Sequence, residues 1–142
     1  MQESELGIDS EKQMPIEIQM LVYAVGLFIV TVAIQASAGV LQMGFMPALG
    51  NRDDIAPAAG LAARAKRCVM NSVEAMVMFV PLVLAAVIAQ QTDQSSALGA
   101  KVFFYARVGY VASYMIGIPV LRTLIWTAGL AGVLLVFYAL FA

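Results

Sequence analysis

Apolar residues run through the chain in four long blocks separated by short polar links. The first, "IQMLVYAVGLFIVTVAIQASAGVLQ" (18–42), is free of charge, and no charged residue occurs between Glu17 and Arg52. The second, 61–90, opens as "LAARAKRCVMNSVE" and continues as "AMVMFVPLVLAAVIAQ". The third is 97–118, "ALGAKVFFYARVGYVASYMIGI", and the fourth is 119–141, with Pro119 at a favoured first-turn position. About 20 apolar residues cross a bilayer core as a helix. Each block therefore predicts a spanning helix. The second would be about 45 Å long against a core of about 30 Å, so its basic start must project from the membrane.

The links agree with this division. "GFMPALGNRDDIAPAAG" (44–60) is rich in Gly, Pro and Asp and predicts a loop. "QTDQSS" (91–96) is a short polar turn, and the last two blocks meet at Gly117 and Pro119. Short links make neighbouring helices antiparallel. The expected fold class is all-α, an integral membrane four-helix bundle running up-down-up-down.

Composition strengthens the membrane assignment. The chain is 62% hydrophobic and 12% charged, where soluble domains are about 45–50% apolar and about 25% charged. A net charge of −1 offers no basic surface for nucleic acid. With no His and one Cys, Cys68, a His-ligated metal and an intramolecular disulfide are excluded, and the scattered acidic groups suggest no metal site. "MQESELGIDSEKQMPIE" holds five acidic residues and one Lys, unlike a signal peptide, so 1–17 is expected as an acidic tail or surface helix. Arg52, Arg64, Lys66, Arg67 and Arg122 gather at one side of the predicted bundle; Lys12 and Lys101 lie at the other. The positive-inside bias then puts the first and third links in the cytoplasm and both termini outside.

The remaining charges carry the chemistry. Arg64, Arg67, Asn71 and Glu74 follow i, i+3, i+7, i+10, one narrow stripe of a helix, with Lys66 on the opposite side. Arg107, Tyr110 and Tyr114 form a second stripe at i, i+3, i+7. A charge near mid-bilayer costs about 2.5–3.5 kcal/mol on insertion scales, so both stripes should avoid lipid, and a Glu74–Arg107 pair is expected between the second and third helices. Two readings of the stripes are open. They bind a polar anionic ligand, or they glue helices together and mark topology. Arg122, in the first turn of the fourth helix, sits where the positive dipole end disfavours a cation unless an anion joins it.

"RAKRCVMNSVE" (64–74) resembles the RxxRAxxNxxE signature of the MAPEG family, the membrane-associated proteins in eicosanoid and glutathione metabolism. "NRDD" before it and "PLVLAA" after it are similar to the small bacterial members, "ARVGYVASY" resembles the family's third helix, and the chain as a whole resembles a small bacterial member akin to microsomal glutathione transferase. The resemblance implies a homotrimer in the bacterial inner membrane, with glutathione bound between subunits near the cytoplasmic face. Glutathione would be the co-substrate, without a metal, and the second substrate a lipophilic electrophile arriving through membrane lipid. It assigns glutathione contacts to Arg67, Asn71, Glu74, Arg107, Tyr110 and Tyr114. It assigns stabilisation of the thiolate to Arg122, although Leu121 occupies the family's spacing from Tyr114. Ala63 and Ala75 stand where eicosanoid synthases carry Glu and Tyr. Cys68 replaces the usual Ala and reads as small packing or as a reactive thiol. The family also contains a non-catalytic lipid-binding adaptor. Two functions are therefore in play: a glutathione-dependent transferase or peroxidase, or a lipid-binding or accessory subunit of a larger membrane complex.

Overall fold

A computed structural model describes residues 14–51 and 56–142. The acidic stretch up to Gln13, and Arg52 with Asp53 and Asp54, lie outside the described residues. All regular structure among the described residues is helical: α1 Ile16–Met43, α2 Phe45–Leu49, α3 Gly60–Ile88, α4 Gln94–Ile116 and α5 Pro119–Ala139. Five helices thus replace the four expected, because part of the 44–60 link forms the short α2. Three of them, α1, α3 and α5, are long and apolar enough to cross a membrane.

The exception, α4, has the length but not the apolarity. It carries Lys101 and Arg107 and buries Ser96, Arg107 and Ser113. The reason is packing: α4 lies against α1, α3 and α5, so polar groups on it meet protein rather than lipid. On the outward faces, Ile29, Val77 and Leu124 are exposed, as a helix in hydrocarbon requires.

Three apolar clusters fix the chain directions. The largest joins Met20 and Ala24 near the start of α1, Phe79 and Val83 late in α3, Phe103 early in α4 and Val136 late in α5. The Phe79 and Phe103 rings stack at 3.8 Å. A second holds Cys68, Tyr110, Val111 and Tyr114. A third joins Ala38, late in α1, to Ala62 and Ala65 at the start of α3. These contacts make each long helix antiparallel to the next. At the α4–α5 crossing, Gly99 and Gly132 bring the two backbones together, leaving no room for a Cβ on either.

The helix ends follow their residues. Asp93 and Ser96 form a capping box at α4, with Ser96 N donating to Asp93 Oδ1 at 2.7 Å and Asp93 N to Ser96 Oγ at 2.9 Å. Gly117 closes α4 in the left-handed region (φ 89°), which its missing Cβ permits, and α5 starts two residues later at Pro119. Gln42 at the end of α1 holds the approach to α3: its Nε2 donates to Pro57 O at 3.2 Å, and its Oε1 accepts from Ala59 N at 2.9 Å.

Glu17, expected in an acidic tail or surface helix, lies in the first turn of α1 and is buried. Its carboxylate accepts a hydrogen bond from Ser96 Oγ. Two helix N-termini, of α1 and α4, converge on it, and both favour a negative charge.

Candidate functional site

On α3, burial selects Ala65, Cys68, Ser72, Ala75 and Phe79, small side chains followed by a ring at near-heptad spacing. The polar stripe lies one residue earlier at each step, about 100° around the helix. It therefore runs along the flank of the packed face. Asn71 is half-buried there, whereas Arg67 and Glu74 are exposed on this single chain.

From α4, Arg107 reaches this flank as a buried cation. Its Nη1 donates to Asn71 Oδ1 at 3.1 Å, and its Nη2 donates to Ser72 Oγ at 2.8 Å. The guanidinium also lies 4.3 Å from the centre of the Tyr110 ring, within cation–π range. The expected Glu74–Arg107 pair is not formed. Asn71 stands between the two, its Nδ2 facing Glu74 Oε2 at 3.5 Å, a distance too long for a strong bond. The axial offset explains this: Arg107 is level with Asn71 and Ser72, one turn short of Glu74.

Tyr110 and Tyr114 follow Arg107 on α4, their rings 5.0 Å apart and tilted by 59°. Arg122 comes from α5 and places its guanidinium 4.9 Å from the Tyr114 ring centre. Asn71, Tyr110, Tyr114 and Arg122, with Thr123 and Trp126, line one pocket of about 260 Å³ between α3, α4 and α5. Four predicted residues thus share a cavity, and Arg107 braces it from behind. The guanidinium N–H groups of Arg122 donate to no group among the described residues, so the pocket presents cationic donors beside two aromatic rings. Such a site suits an anion.

A profile of the MAPEG family matches residues 20–142. The chain belongs to that family. It is therefore a member of a family of membrane-associated proteins in eicosanoid and glutathione metabolism, and three of its helices are long and apolar enough to cross a membrane. No curated protein and no solved structure matches it.

Within this MAPEG chain, several positions differ from the sequence expectation. Arg122 reaches Tyr114 although Leu121 holds the family spacing, and Leu121 itself is exposed. Cys68 is fully buried beside Tyr110 and Tyr114, which fits the packing reading. Arg64 extends towards Gly117 in the α4–α5 turn, and its Nε is buried without a hydrogen-bond partner. A larger cavity, about 470 Å³, lies between α1 and the start of α3; apart from Gln35 and Lys66 its lining is apolar or small, and no predicted site residue lines it. Among the described residues no group of three metal-ligating acidic or thiol side chains occurs.

Two contributors were not foreseen. Ser72 donates its own proton to Cys68 O at 2.8 Å, which leaves its lone pairs for Arg107. Its signal was available, since a Ser among small residues on a buried helical face needs a partner. Trp126 falls one turn after Arg122 on the same face of α5, a spacing that could have flagged it.

Proposed function

We propose that the protein is a membrane-bound, glutathione-dependent transferase or peroxidase acting on lipophilic electrophiles. It would work as a homotrimer of four-helix transmembrane subunits, with glutathione between subunits near the cytoplasmic face of a bacterial inner membrane and both termini outside. The observation that carries this reading is the convergence of Arg122, Tyr114, Tyr110 and Asn71 from three helices on one pocket.

The roles follow from charge. Arg67 and the Asn71–Arg107 unit face the carboxylates of glutathione, Glu74 its ammonium group, and the two tyrosines offer hydroxyls. An ordinary thiol ionises near pH 8.5, and the thiolate is the nucleophile. Arg122 holds the thiolate by charge-assisted hydrogen bonds as the proton leaves to solvent. The electrophile enters from the bilayer side; the sulfur lone pair forms the new bond, and the bond it displaces breaks with its electron pair passing to the leaving group. Glu74 supports the trimer, because an exposed charge inside a membrane span needs cover. A second copy packed on this flank of α3 supplies it.

The test is conjugation of glutathione to a lipophilic electrophile by the purified full chain in detergent. Arg122→Ala should lower kcat/KM by about 10²–10³, the loss seen when one charge-stabilising donor is removed, with glutathione binding retained in calorimetry. Glutathione binding without turnover by the wild type would move the chain to the accessory-subunit reading. Neither binding nor turnover would reject the glutathione site.

A further inference from the structure

The pocket has an apolar continuation, and one side chain joins the two parts. Trp126 lines the pocket with Arg122 and Tyr114. It also lines a narrow, largely apolar neighbouring cleft with Ala75, Met78, Phe103, Gly129, Leu130 and Val133; Arg107 lines it too, with its guanidinium bonded to Asn71 and Ser72. Arg122 is in the first turn of α5 and Trp126 in the second, about 6 Å deeper along the axis. The order along α5 from the helix end inward is therefore guanidinium, indole, then Gly129, Leu130 and Val133 of the cleft. On the single chain Trp126 is 41% exposed, so the indole is not fully enclosed by internal packing.

We propose that Trp126 is a specificity-determining residue, whose indole forms the surface on which the electrophile lies, so that the site favours planar aromatic or conjugated electrophiles over saturated ones. The proposal rests on the transferase reading and names its substrate class. An electron-rich indole stacks on an electron-poor ring with offset geometry and adds to the apolar contact. With a nitro-substituted aryl halide, the glutathione sulfur lone pair forms a C–S bond at the halogen-bearing carbon. The ring takes up the displaced electron pair. The carbon–halogen bond then breaks with that pair, halide leaves, and the thiol proton has gone to solvent. Arg122 is one turn away, so a sulfur held there meets a ring lying on the indole.

The experiment compares kcat/KM for 1-chloro-2,4-dinitrobenzene and for 1-iodobutane, each with glutathione, using the full chain in detergent micelles. Trp126→Leu should lower the aryl-to-alkyl ratio roughly three- to tenfold, the range of one stacking contact. Trp126→Phe should restore it to within about twofold. An unchanged ratio in Trp126→Leu, or an equal loss for both electrophiles, overturns the selector role. Trp126 is the sole tryptophan, which supplies a readout without turnover. S-(2,4-dinitrophenyl)glutathione should quench its emission at saturation and S-butylglutathione should not, and no quenching by the former overturns the proposal. Wild-type protein that converts neither electrophile and gives no heat with glutathione rejects the transferase reading itself. Conversion of both with no change of ratio in the variant rejects only the role of Trp126.

Discussion

Arg107 is a buried cation with no carboxylate partner among the described residues, and Ser72→Ala tests what holds it. Ser72 Oγ accepts from Nη2 at 2.8 Å, and its proton is committed to Cys68 O. Removing the hydroxyl leaves a charged donor unpaired, while the Asn71 bond at 3.1 Å and the Tyr110 face remain. A hydrogen bond to a charged group is worth about 1.5–3 kcal/mol in soluble proteins. In membranes measured couplings average about 0.6 and reach about 1.7 kcal/mol, because separated helices also find partners. A charged donor in a buried site belongs near the top of that membrane range, so the expected loss is about 1.5 kcal/mol. The local bond from Ser72 to Cys68 O contributes little, since such i−4 contacts compete with the helix. In an Arg107→Met background, Ser72→Ala should therefore cost under about 0.5 kcal/mol, giving a coupling of about 1 kcal/mol. Reversible unfolding in mixed detergent–dodecylsulfate micelles, followed by the emission of Trp126, measures all four corners of the cycle. Additive effects, within about 0.3 kcal/mol, would refute the claim that Ser72 positions Arg107.

The remaining predictions use the same assay. A Cβ at Gly132 would lie 2.7 Å from Gly99 O and from Phe103 N, backbone atoms that cannot swing aside. Gly132→Ala should cost about 2–3 kcal/mol, the upper range of overpacking. At Gly26 a Cβ meets nothing within 4 Å inside α1, so Gly26→Ala should stabilise by about 0.5–1 kcal/mol; equal effects at the two glycines would contradict the helix approach described. Glu17→Gln keeps an acceptor for Ser96 but loses the charge at two helix N-termini, and should cost about 1 kcal/mol. Glu17→Ala loses both and should cost about 2 kcal/mol, so two neutral variants would return Glu17 to the role of a solvated tail residue.

The spanning helices were legible because apolar run length is a local property read against a fixed bilayer thickness. The turn at Gly117 and Pro119 was legible too, since Gly alone enters the left-handed region freely and Pro fixes its own φ. So was the Arg64–Arg67–Asn71–Glu74 stripe, which is arithmetic on one helix. The same arithmetic could not say which partner Arg107 meets. That depends on the axial shift between α3 and α4, which sets Arg107 level with Ser72 rather than Glu74. Nor could counting from Tyr114 place Arg122. One residue is about 100° of helix, and the two-residue link of Gly117 and Ile118 sets the phase of α5. The sequence by itself determined a membrane-spanning helical protein with one polar flank. Tertiary structure decided that Asn71 of this flank shares a pocket with Tyr110, Tyr114, Arg122 and Trp126, because helix rotation and offset come from non-local packing such as the Gly99–Gly132 approach.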